Sequence, residues 1–315
     1  MRRSMIPAAL AVVAAGCGPV GTASPAHSSG PTVPAATATP AASPSVAPSG
    51  SPAAVHLAFQ VSQAGGFIAP SAELATLPSV SVFSDGTILR PAPMPAIAPA
   101  PALPGVIVDD VTPAGLAALL DAAKATGLGD PTASFDGGPA PDAGVTLITI
   151  DLGGLPRTVR ISSLGDTSRD GDLDPKVVAA RVRLRALLAT FDDLATALGS
   201  DLASGPRPYQ PTALRLIVSA GDPSGGSGAT PIAWPLATPL SSFGVEIAVA
   251  DGLPPAAGLN GGATARCGTA SGADLAALLP LARRATVVTP WTSAGQSFGI
   301  SFRPLLPLEQ GCPGA

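Results

Sequence analysis

Val80-Ser-Val-Phe-Ser-Asp-Gly-Thr-Ile-Leu89 places Asp85-Gly86 between two short apolar runs. Strand-forming residues on either side of an Asp-Gly pair, whose glycine accepts the positive φ of a tight turn, predict an antiparallel hairpin. Working outward, Val55–Val61 alternates apolar and polar residues as a half-buried strand does. Val145–Leu152 and Arg157–Ile161 predict a second hairpin around Gly153-Gly154, and Ala213–Ser219 and Ile300–Pro304 predict further strands. Arg90–Gly105 carries prolines at 91, 93, 95, 99, 101 and 104, a density that excludes helix and central strand and predicts an exposed polyproline-like loop.

Two helices stand out among these strands. Thr112-Pro113 is a cap followed by a first-turn proline, leading into Leu116, Leu119 and Leu120 and stopping at Gly127. Pro175–Leu198 places Val178, Val182, Leu184, Leu187, Leu188, Phe191 and Leu194 at helical spacing up to Gly199, which predicts one long helix covering a sheet. Ser271-Gly-Ala-Asp-Leu-Ala-Ala-Leu-Leu279 echoes Thr112-Pro-Ala-Gly-Leu-Ala-Ala-Leu-Leu120, with Pro280 expected to end or kink the second helix. The echo fits either a weak internal repeat or chance in an Ala/Leu-rich chain. The fold class expected is α+β: mostly antiparallel sheets with helices packed on one side, arranged as a half or domain at residues 55–204 and another at 205–315.

The N-terminal residues bear on address. Residues 1–17 read as a basic start, an apolar run from Ile6 to Ala15 and a small-residue site ending in Cys17, the pattern of an export signal. The run is too short to span a bilayer. Ala14-Ala15-Gly16-Cys17 looks like a bacterial lipobox, although Leu is usual at the position of Ala14. The expectation is a diacylglyceryl group on Cys17, holding the chain at the outer face of the cytoplasmic membrane. Residues 18–54 are Pro, Ala, Thr, Ser and Gly with almost no charge, a composition that reads as an extended tether reaching on the order of 100 Å.

There are three cysteines, an odd number for an oxidising compartment. Lipidation of Cys17 leaves Cys267 and Cys312 to form a disulfide or to stand as two buried thiols. With residues 1–16 removed, 15 basic residues face 21 acidic ones, a net charge of −6. The one dense basic run, Arg181, Arg183 and Arg185, shares its helical pattern with Asp192 and Asp193, so no nucleic-acid partner is expected.

No recognisable catalytic set stands in the sequence. Gly295-Gln-Ser297-Phe-Gly299 matches a nucleophile elbow in letters, but a strand follows Ser297 where a helix is required, and both histidines, His27 and His56, lie upstream. Asp166, Asp170, Asp172 and Asp174 fail as a calcium loop: counted from Asp170, Pro175 occupies the glycine position and Arg181 the terminal glutamate position. No metal site or cofactor is expected. Trp234 and Trp291 are candidates for a ligand-stacking platform, the competing reading being core anchors. The function expected is an envelope binding or accessory protein, with a partner protein or cell-wall ligand. The alternative is an envelope enzyme using carboxylates such as Asp109, Asp110 or Asp142.

Trp234-Pro-Leu, Phe243-Gly244, Arg266-Cys267-Gly268, Thr289-Pro-Trp291-Thr, Arg303-Pro-Leu-Leu-Pro307 and Cys312-Pro313, with Pro101-Ala-Leu-Pro104 upstream, resemble an uncharacterised group of secreted or lipid-anchored proteins from actinobacteria and related high-GC bacteria. The resemblance is most distinctive in the last third of the chain. It implies export and a Cys267–Cys312 bridge, and it transfers no activity and no functional residues.

Overall fold

Asp85-Gly86 forms the expected turn: Gly86 has φ +89° and lies so close to the Val111 carbonyl that a Cβ there would stand 2.5 Å from its oxygen. Around this hairpin the computed structural model describes residues 54–66, 70–138, 143–153, 155–226, 228–247 and 265–312. All fall in the unit Ala53–Ala315. Residues 1–53, which hold the signal, Cys17 and all but the last residue of the tether, lie outside the described residues, as do Asp142 and Gly154.

The strands and helices, in chain order, are β1 (Leu57–Gly65), α1 (Pro70–Ala75), β2 (Val80–Phe83), β3 (Thr87–Pro91), β4 (Val106–Val111), α2 (Pro113–Ala125), β5 (Gly144–Ile150), β6 (Arg157–Ser162), α3 (Pro175–Thr190), α4 (Leu194–Leu198), β7 (Leu202–Pro208), β8 (Ala213–Ala220), β9 (Ile232–Ala233), β10 (Val245–Ile247), β11 (Ala265–Ser271), α5 (Gly272–Arg284), β12 (Trp291–Ser293) and β13 (Gln296–Pro304). The fold is α+β, with two sheets ordered β6-β5-β1-β2-β3-β4-β7 and β10-β11-β8-β13-β12-β9. Every pairing is antiparallel except β9 with β12. Because β7 belongs to the first sheet, the chain passes from one sheet to the other between Pro208 and Ala213 rather than at Gly205.

Each sheet buries a helix-covered face. Phe59, Val82, Ile88, Ile148 and Ile161 of the first sheet meet Leu119 of α2 and Leu184 and Leu187 of α3. Leu216, Val218, Ile300 and Phe302 of the second meet Leu275, Leu278 and Ala282 of α5. The opposite faces share two connectors. Leu77, just after α1, and Leu306 pack on the first sheet beside Phe83 and Val108, while Leu74 and Ala75 of α1 pack on the second beside Ile217 and Cys267. Arg215 and Arg303, cross-strand neighbours on β8 and β13, fix α1 by donating to the Leu74 carbonyl (3.1 Å) and the Thr76 carbonyl (2.8 Å).

Three local expectations need correction. The run Pro175–Leu198 is two helices, because Asp193 leaves helical geometry and caps α4, accepting from the backbone N–H (3.1 Å) and hydroxyl (2.6 Å) of Thr196. On α3 it is Arg181 that is wholly buried and Val182 that is exposed. Pro280 sits inside α5 without ending it; Pro280 and Ala276, whose carbonyl loses its N–H partner, are both exposed. As for the echo, α2 and α5 both follow a strand directly, but β4 lies three places from β1 while β11 adjoins β8. The likeness therefore covers the strand–helix start and not the sheet order.

Candidate functional site

Asp109 and Asp110 are successive on β4 and so point to opposite faces of the first sheet. Asp109 is 1% exposed and accepts from Arg90 Nε at 3.0 Å. Gly205, at φ +138°, packs against it so tightly that a Cβ there would stand 2.3 Å from Asp109 Oδ1. On the other face Asp110 takes the Arg207 guanidinium and the Ser204 hydroxyl (2.6 Å). The hydrogen bond from Arg207 holds the Asp110 carboxyl below its ordinary value against the opposing effect of burial, and Arg207 is raised in return. Two carboxylates on opposite faces, each with its own arginine, share no proton and form no acid/base pair.

The Asp-rich approach to α3 is used by the fold. Asp166 accepts from the Ser168 backbone and hydroxyl, and Asp174 caps α3 through Lys176 N (2.7 Å). Asp170 receives Arg181 Nε (3.0 Å) and Arg185. The hydrogen bond from Arg185, with Arg181 adding to it, holds Asp170 below the usual carboxylate range against desolvation. Arg181 also donates to the carbonyls of Phe135 (2.9 Å), Ser162 (3.2 Å) and Ser163 (2.6 Å), closing the loops at the edge of the sheet onto α3. Among the described residues no three His, Cys, Asp or Glu side chains are grouped to hold a metal ion.

The structure does bring the two tryptophans together, edge to face at 6.1 Å, but inside the second core. Trp291 is wholly buried and packs against Phe302, so it offers no face to a ligand. Trp234 is half-buried against Phe243, its indole N–H donating to the Thr238 carbonyl (2.8 Å). Ser297 lies within β13 opposite Thr292, in a hairpin rather than a strand-to-helix turn. Cys267 and Cys312 form a disulfide, Cα–Cα 5.6 Å, tying the C-terminal segment to β11.

Among the described residues, two of the remaining surfaces bear on binding. The first is the proline-rich loop between β3 and β4. At one end Ala92 N donates to the Gly105 carbonyl; at the other Ala102 N donates to Ala285 and Val287 N to Ala100, all at 2.9 Å. Ala102 is buried in the second core, so the base of the loop docks there instead of standing wholly in solvent. Between these anchors Met94 is 75% and Ile97 61% exposed, and residues 91–105 carry no charge. The sequence marks this loop as exposed; the Ala102 anchor leaves no sequence signal.

The second is a cleft of about 420 Å³ between the first sheet and the C-terminal half of α3. Val61 and Val80 form its floor, Leu188 and Phe191 one wall, and Arg90 and Arg185 reach into it. Comparison with protein-family models, with characterised proteins and with solved structures returned no match.

Proposed function

We propose that this chain is an exported lipoprotein, anchored through Cys17, whose folded unit engages an apolar surface on an envelope protein with the loop at residues 93–99. The Cys267–Cys312 disulfide supports export, since such bonds persist in oxidising compartments. Among the described residues no helix is long and apolar enough to cross a membrane.

The observation that carries the binding role is the exposure of Met94 and Ile97 on a loop pinned at both ends. A segment tied at both ends has less backbone entropy to lose on association, and prolines at 93, 95 and 99 lower that loss further. The loop's lack of charge selects an apolar partner surface. Asp109 and Asp110 give the carboxylate-enzyme reading no support, because each is committed to an arginine.

The test is a photo-crosslinking residue placed in intact cells at position 94 or 97, with exposed Val182 on α3 as control. A discrete adduct from 94 and 97 that is absent from 182 is expected. Equal labelling from all three, or none from the loop, overturns the proposal.

A further inference from the structure

The cleft beside α3 has a built polar end. The Arg90 guanidinium presents two forks: one edge, through Nε, is taken by buried Asp109, and the two terminal nitrogens meet no hydrogen-bond acceptor among the described residues. Arg90 is 20% exposed along its side chain and lines the cleft, so those terminal N–H groups are accessible from it. Asp109 is itself fixed against Gly205, which pre-orients the guanidinium before any ligand arrives. Across the cleft Arg185 is committed to Asp170 and to the Leu164 carbonyl (3.2 Å).

We infer that this cleft binds a small carboxylate with an apolar body, the carboxylate on the terminal nitrogens of Arg90 and the body along Val61, Val80, Leu188 and Phe191. A planar carboxylate matches the end-on guanidinium fork, and a charge-assisted pair of this kind is stronger than a neutral hydrogen bond. Arg90, Arg181 and Arg185 stand against four carboxylates, Asp109, Asp170, Asp192 and Asp193, so net local charge does not select an anion and the selectivity rests on the unoccupied end of the Arg90 guanidinium. Asp192 lines the rim and Asp193 follows it, its carboxyl held below the ordinary value chiefly by the Thr196 hydrogen bonds with Arg90 adding to them; both are exposed, so solvent and salt screen their repulsion of an incoming anion.

The experiment is calorimetric titration of the full chain carrying Cys17→Ser, so that no attached acyl chain competes, with octanoate and with octan-1-ol. The expected result is octanoate bound about tenfold more tightly than octan-1-ol, one charge-assisted hydrogen bond being worth that factor. Arg90→Lys keeps a cation beside Asp109 and removes the fork, and is expected to bring the ratio close to one with thermal unfolding little changed. Asp192→Asn is expected to tighten octanoate about twofold and to leave octan-1-ol unchanged, by loss of a screened like charge. Equal affinity for the two probes in the parent chain, no binding of octanoate at millimolar concentration, or an octanoate preference that survives Arg90→Lys overturns the assignment. The outcome does not depend on the Met94 and Ile97 loop.

Discussion

Replacing Arg181 with Met tests whether the guanidinium clamp holds the sheet edge to α3. The side chain is wholly buried and makes four hydrogen bonds, to Asp170 and to the Phe135, Ser162 and Ser163 carbonyls. Methionine fills a comparable volume and strands the Phe135 and Ser162 carbonyls, while the Ser163 carbonyl keeps the Asp166 N–H (3.0 Å) and Asp170 keeps Arg185. A buried acceptor left without a partner costs about 1–3 kcal/mol, and breaking one side of a buried ion pair about 3–5 kcal/mol. These costs overlap, because they describe the same lost donor. Partial entry of water brings the net to about 4 kcal/mol. For a unit of this size each kcal/mol moves the melting temperature by about 2–4 °C, so Arg181→Met is expected to lower Tm by about 8–16 °C. Arg183→Met on the exposed face of the same helix is the control, expected within about 0.5 kcal/mol of the parent. Thermal and urea unfolding followed by circular dichroism measures both. A loss below about 1 kcal/mol at Arg181 would refute the reasoning, since the carbonyls would then have found other donors.

Pro280→Ala restores the backbone N–H donor to the Ala276 carbonyl in an exposed stretch of helix, and is expected to stabilise by about 1–2 kcal/mol in urea unfolding. Cys267→Ser with Cys312→Ser opens a link between residues 45 apart in sequence and is expected to cost about 4 kcal/mol, read as the difference between the parent and the double variant under oxidising conditions. Asp110 and Asp170 have folded-state pKa values below their ordinary 3.8, so their contribution is fully present above about pH 4 and is lost as pH falls through the lowered values. Thermal melts from pH 6 down to pH 2 are expected to be flat above about pH 4 and to fall below it, less steeply in Asp110→Asn. A melting temperature that rises on acidification would reverse the sign and contradict those pairings.

The strands and turns were legible because they rest on neighbouring residues. Asp85-Gly86 carries its turn chemistry locally, and the alternation of Phe59 and Val61 states which face is buried, whereas Leu57, across a bulge, packs on the opposite face and Val55 is exposed. The Thr112 cap and Gly127 stop bracket α2 in the same way, the Thr112 side chain accepting from Gly115 N. Features decided by distant partners were not legible. Asp192-Asp193 broke a run whose apolar spacing continued through it, because the Asp193 carboxylate had Thr196 to cap. Arg181 reads as a solvated charge on the helical pattern and is buried only because Asp170 and three carbonyls converge on it.

The cleft joins Arg90 to Asp109 and Arg185, positions up to 95 residues apart that become neighbours only once β3, β4 and α3 are assembled. No local pattern announces such a site. Trp234 and Trp291 show the converse: two conspicuous residues in an aromatic-poor chain meet as packing, with Trp291 wholly enclosed.

The lipid anchor is tested most directly by the mass of the N-terminal peptide from membrane-fractionated cells, for the natural chain and for Cys17→Ser. The account predicts a mature chain that begins at Cys17, carries a diacylglyceryl group and sediments with membranes, and a Cys17→Ser variant that does not. An unmodified Cys17, a mature terminus elsewhere, or equal membrane retention of both chains would contradict it.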